Sequence, residues 1–149
     1  MRIVRAKWMQ DGGRRNRGAA AVELAVVAPV LLTLVFGIIE FGWTMMVRQS
    51  LINAAREGCR AASLKYTSNT ALEAAVVGKI DSALSSLGFS YQEGDYTLTM
   101  VHASYPPVSP NDTETVTLAV PYSQVSLLGD YFNLPDFEIR ARAVMRKEF

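Results

Sequence analysis

Sixteen residues, 24–39, pass without a charge, and after Glu40 the apolar character resumes with FGWTMMV up to Arg48. As one helix, residues 24–47 reach about 36 Å at 1.5 Å per residue, enough to cross a hydrocarbon layer of about 30 Å. The pattern therefore predicts a transmembrane helix over residues 19–47. Two carboxylates bracket it: Glu23 and Glu40 stand seventeen positions apart, about 25 Å along a helix. Both are thus expected near opposite interfaces, where a charge costs far less than at membrane depth. Trp43 fits an interfacial aromatic position, and Pro29 is placed to kink the span.

The pattern then changes from uniformly apolar to amphipathic. Ile52, Ala55, Cys59, Ala62 and Tyr66 recur at spacings of three and four, one face of a helix, so residues 48–66 read as a continuation to about Leu64. Small residues dominate that stripe, which lets a sheet or a partner helix approach closely. Cys59 lies on it and reads first as a small packing residue. A contact to another chain, such as an intermolecular disulfide, is the sharper alternative in an oxidising compartment.

Residues 67–149 read as a separate α-β-β-β domain. Ser68, Asn69 or Thr70 is placed to cap a second helix, with Glu73 in its first turn. Leu72, Val76, Ile80, Ala83/Leu84 and Leu87 supply its apolar face, and Gly88 its end. Three segments then alternate at period two, residues 96–105, 114–122 and 137–147. Val116, Leu118, Val120 and Tyr122 share one side of the second. Phe137, Ile139, Ala141, Ala143 and Met145 share one side of the third, opposite Glu138, Arg140, Arg142 and Arg146. Such alternation marks half-buried antiparallel strands, and Pro121 suits a strand end or an edge. The fold class is therefore α+β: a long N-terminal transmembrane helix continuing into an amphipathic helix, a second helix, and a small antiparallel sheet of about three strands.

Charge orients this plan. The net charge of the chain is only +1, but by segment it is +5 over residues 1–18, −2 over 19–47, +2 over 48–64 and −4 over 65–149. A basic leader before an apolar span predicts a cytoplasmic N-terminus and an extracytoplasmic C-terminal domain. An acidic outer domain argues against nucleic acid as a partner. A cleaved secretory signal fits poorly: the apolar run is too long, and no small-residue site follows it near residues 37–44.

Catalytic chemistry finds no foothold. His102 is the one histidine, so no triad with a histidine base can be assembled around the many serines except through that residue. No Cys/His spacing suits zinc, and no phosphate loop is present. Asn111, Asp112 and Glu114 offer oxygens but fall short of a calcium shell. No enzyme activity, cofactor or metal is expected. Arg140, Arg142 and Arg146 read as a solvated or salt-bridged strand face.

The most specific feature is an ensemble: RRNRG ending at Gly18, then AAAVE with Glu23 five residues on, then the apolar run. It resembles the class III signal of type IV pilin-like proteins. The resemblance implies cleavage by a prepilin peptidase between Gly18 and Ala19, which makes Glu23 the fifth residue of the shortened chain. It further implies that Glu23 pairs with the N-terminal amine of a neighbouring subunit during assembly. INAAREGCRAASL at residues 52–64 and RARAVMRKE at 140–148 are similar to the TadE-like family, minor pilins or pseudopilins of the tight-adherence (Flp, type IVc) pilus. Leu24 stands where major Flp pilins have Tyr, and the chain is far longer than theirs, which favours a minor subunit. The resemblance implies as partners the prepilin peptidase, other pilins and minor pilins, the assembly platform with its secretion ATPase, and membrane lipid. The implied location is the bacterial cytoplasmic membrane, with possible incorporation in the pilus. The alternative expectation is an uncleaved single-pass anchor carrying an extracytoplasmic binding domain.

Overall fold

The structure is a computed structural model that describes residues 12–64, 68–92, 94–101, 113–129, 135 and 137–147, with side chains described from Gly18 onward. Its elements are α1 (Gly12–Ala62), α2 (Asn69–Leu84) with a short 3-10 turn (Ser85–Leu87), β1 (Thr97–Val101), β2 (Thr113–Pro121), a one-turn helix α3 (Tyr122–Val125), and β3 (Glu138–Arg146). The architecture is the expected α+β one. The chain divides into two compact units, Met1–Ile39 and Glu40–Phe149.

The first unit contains the N-terminal part of α1. Most of its described large side chains are solvent-facing, among them Val22, Leu24, Val26, Leu31, Leu34 and Ile38. A helix apolar on all sides, with nothing among the described residues of its own unit to bury against, suits a lipid environment or the helices of other chains. Pro29 removes one backbone donor inside the helix, and the Thr33 hydroxyl donates to the Pro29 carbonyl at 2.8 Å, a back-bond that commonly accompanies bending.

The second unit is a three-stranded antiparallel sheet in the order β1-β2-β3, with two helical segments on its core face. Register pairs Leu98 with Leu118, Leu118 with Ala141, and Val120 with Ile139. Val116, Leu118, Val120, Ile139, Ala141 and Ala143 thus form one buried sheet face, the alternation read from the sequence. They join a single core with Val47, Leu51, Ala54, Ala55, Cys59 and Ala62 of α1, and with Val76, Ile80 and Leu84 of α2. Small residues on α1 make that approach possible. At Gly58 a Cβ would stand 2.8 Å from both Cδ1 and Cγ1 of Ile80, closer than carbon atoms pack.

Local chemistry sets the ends of the elements. Ser68 caps α2 from an extended conformation, its hydroxyl accepting from the Ala71 amide at 3.2 Å. Glu73 lies beyond the first turn, contrary to expectation, because the helix begins at Asn69. Gly88 terminates the 3-10 turn in the left-handed conformation, φ 76°, which favours glycine. Asp81 then fixes the entry to β1: its Oδ1 accepts from the Tyr91 amide and the Tyr96 hydroxyl, both at 2.9 Å. Burial, reinforced by Asp81, pushes the Tyr96 phenol well above its ordinary range.

Three expectations need adjusting. Helix α1 ends at Ala62, two residues before Leu64, where the Ser63 hydroxyl turns back to the Arg60 carbonyl at 2.8 Å. Phe137 precedes β3 and is 47% exposed, stacked on Tyr122 rather than inserted in the core. Strand β1 is described to Val101, and the remainder of that expected strand lies outside the described residues, as does Tyr66.

Candidate functional site: the carboxylates and small residues of the long helix

Gly18, Ala19 and Glu23 lie on α1 within the first unit, and all three are exposed. Five helical positions separate Gly18 from Glu23, about 7.5 Å of rise. A Cβ on Gly18 would meet no atom within 4 Å. The backbone there is thus open to an approaching protein. Beyond Glu23 the surface through Ile39 consists mostly of exposed apolar side chains.

Glu40, the second carboxylate of the apolar stretch, behaves differently. It is 4% exposed. Its Oε1 accepts from the Tyr122 hydroxyl at 2.8 Å, and its Oε2 accepts from the Leu127 and Leu128 amides at 3.2 Å each. About two turns of α1 present Glu40, Trp43 and Val47 on one stripe, and the Trp43 Nε1 donates to the Val125 carbonyl at 2.7 Å. Together these bonds fasten α3 and the turn after it to α1. Glu40 is therefore a satisfied structural group of the second unit, unlike the exposed Glu23. The spacing of Glu40 from Trp43, Val47 and Leu51 by threes and fours was the available sign.

Cys59 is fully buried, and its thiol donates to the Glu114 carbonyl at 3.2 Å. Burial pushes the thiol above its ordinary value, which disfavours the reactive thiolate. Glu114 sits on the core face of β2, 1% exposed at the side chain, with its Oε1 2.7 Å from Lys147 Nζ. This ion pair was not anticipated. Lys147 keeps the alternation of Ile139, Ala141 and Ala143 and so continues the core face beyond the end of β3. The other face of β3 carries Arg140, Arg142 and Arg146, all exposed, and Arg140 binds Glu138 at 2.7 Å. An exposed pair of this kind contributes little to stability.

His102, Asn111 and Asp112 lie outside the described residues. Among the described residues, no group of three or more His, Cys, Asp or Glu side chains is placed to hold a metal ion.

The match to known families falls on this same helix. Residues 18–60 match the family described as TadE-like protein. That segment is TadE-like. The match begins on Gly18 and ends two residues before α1 does; α2 and the sheet lie beyond it. No curated protein and no solved structure matches the chain. The TadE-like family is a structural family associated with the tight-adherence pilus, and the long apolar helix is of a length and composition to cross a membrane. The matched segment and the apolar helix coincide, which fits a membrane-anchored chain.

Proposed function

We propose that this protein is a non-enzymatic minor pilin, or pseudopilin, of the tight-adherence pilus, and that a prepilin peptidase cuts it between Gly18 and Ala19. The reading is supported above all by a coincidence of positions. The TadE-like segment opens on the glycine that ends the basic leader, and Glu23 stands five residues after it on an exposed apolar helix. Cleavage would give Ala19 a free ammonium group. In a low-dielectric bundle of helices an unpaired carboxylate is strongly unfavourable, and a neighbouring ammonium offsets that cost. Glu23 would then set the axial register of one subunit against the next. Glu40 is not available for the part, since it is held by Tyr122 and two backbone amides.

In this proposal the chain inserts with residues 1–18 in the cytoplasm, 19–47 in the membrane, and 48–66 and 67–149 outside. Other pilins and minor pilins contact its long helix, and the assembly platform with its secretion ATPase extracts it. Cys59 serves packing within the subunit, consistent with its burial.

The test is a pair of substitutions in the native host. Glu23→Val is expected to leave the leader cleaved and to abolish co-purification with sheared pili. Gly18→Ala would block shortening of the chain. If the unaltered chain keeps residues 1–18, stays out of sheared pili and is indifferent to both substitutions, it acts instead as a permanent single-pass anchor for an extracytoplasmic binding domain.

A further inference from the structure

The turn after α3 offers a surface that the pilin reading does not use. Glu40 follows directly on sixteen uncharged residues, which as a helix cover about 24 Å of a hydrocarbon layer of about 30 Å. Counted from Leu24, the first residues of the second unit must therefore complete the crossing. Those residues are built for a place where water is scarce. Glu40 is buried and receives three hydrogen bonds, two of them from the amides of Leu127 and Leu128. The Trp43 indole is likewise satisfied, by the Val125 carbonyl. Polar groups near lipid must be satisfied from within the protein.

Near this satisfied centre three large apolar side chains are exposed. Phe41 is 64% exposed, Leu127 53% and Phe137 47%. Each is tied to Glu40: Phe41 by sequence, Leu127 by its amide bond, and Phe137 by stacking at 4.7 Å on the Tyr122 ring. Exposed apolar side chains surrounding a carboxylate that is itself shielded are the reverse of a water-facing arrangement.

We infer that the turn at residues 126–129, with Leu127 at its tip, is immersed in the bilayer interface beside Glu40, together with Phe41 and Phe137. The partner of this surface is lipid, at the boundary between headgroups and acyl chains. The second unit then rests in the membrane surface through two segments, α1 and this turn. Glu40 acts as the positioning residue that holds the turn at that depth. The inference rests on the membrane-anchored reading, not on cleavage at Gly18.

The experiment uses the full chain, in a Cys59→Ala background, reconstituted at low density in phosphatidylethanolamine/phosphatidylglycerol vesicles. Nitroxide labels are placed singly through Leu127→Cys, Phe41→Cys, Leu31→Cys in the apolar run, and Val144→Cys on the outer sheet face. Collision rates with oxygen, which concentrates in lipid, and with a water-soluble nickel complex are then measured. The labels at 127 and 41 are expected to show an oxygen-to-nickel ratio several-fold above that at 144 and below that at 31. Adding Glu40→Gln to the Leu127→Cys chain should lower the ratio at 127 toward that at 144. A ratio at 127 equal to that at 144, with 31 still deep, overturns the inference and leaves the membrane anchor intact. Shielding of 127 from both reagents overturns it as well, in favour of a protein contact. Nickel access at 31 removes the membrane reading itself.

Discussion

Gly58 gives the sharpest test of how the second unit is packed. Replacing it with alanine puts a Cβ 2.8 Å from Cδ1 and Cγ1 of Ile80 and 3.5 Å from Cγ1 of Val76. Carbon atoms prefer about 3.5–4.0 Å, so α1 and α2 must part by most of an ångström or Ile80 must leave its rotamer. Overpacking of this kind costs about 1–3 kcal/mol. Alanine in a helix interior recovers about 0.8–1.0 kcal/mol relative to glycine. The net effect of Gly58→Ala is a loss of up to about 2 kcal/mol. Gly78→Ala in α2 supplies the control, because a Cβ there meets nothing within 4 Å and only the propensity gain remains, up to about 1 kcal/mol. The difference between the two variants removes the propensity contribution and isolates the clash at about 1–3 kcal/mol. The assay is urea unfolding of the full chain in mild detergent, followed by exposure of the buried Cys59 thiol. Gly58→Ala should lower the midpoint and Gly78→Ala should raise it. Equal shifts in one direction would refute the close approach of α1 and α2.

Three further outcomes follow from the buried polar groups. Tyr122→Phe removes the hydroxyl donor to Glu40 and should cost about 1.5–3 kcal/mol, the range for hydrogen bonds to charged groups; the same unfolding assay reads it, and no loss would mean that the Glu40 contact is unimportant. Lys147→Met removes the cation from Glu114 and should cost about 3–5 kcal/mol, whereas Glu114→Met/Lys147→Met together should recover most of that loss; a double variant as unstable as the single one would contradict the ion-pair account. Cys59, fully buried with its thiol pushed up by burial, should resist a thiol reagent at neutral pH in the folded chain and react once the chain is unfolded; fast labelling of the native protein would contradict its place in the core.

Much of this fold is legible in local pattern. The run at 24–39 announces its helix, and the alternation at Val116, Leu118 and Val120 and at Ile139, Ala141 and Ala143 announces two strands and their buried faces. Ser68 and Gly88 mark ends that the structure places within a residue of expectation. What escaped local reading depends on residues far apart in sequence. Glu40 and Tyr122 are separated by 82 positions, and no periodicity within one helix reveals the donor brought to it by the end of β2. Glu114 and Lys147 keep the alternation of their strands, which marks them as core-facing, but their pairing depends on strand register. Gly58 stands outside the stripe of Ile52, Ala55 and Cys59 read from the sequence, and only the placement of Ile80 against it shows why a glycine is needed there. For the candidate site the balance differs: Gly18, Ala19 and Glu23 stand out by order and spacing alone, and their exposure on α1 fits that reading. Their chemical roles depend on a peptidase and on neighbouring subunits, which one chain does not contain.

The central claim is that the chain is shortened at Gly18 and that Glu23 meets a new amine. The most direct measurement is the intact mass and N-terminal sequence of the protein recovered from the membranes of its native host. A chain beginning at Ala19 is expected, with or without one added methyl group on its amine. A chain that retains residues 1–18 would contradict it, leaving Gly18 as an ordinary helical residue and Glu23 as an interfacial carboxylate of a permanent anchor.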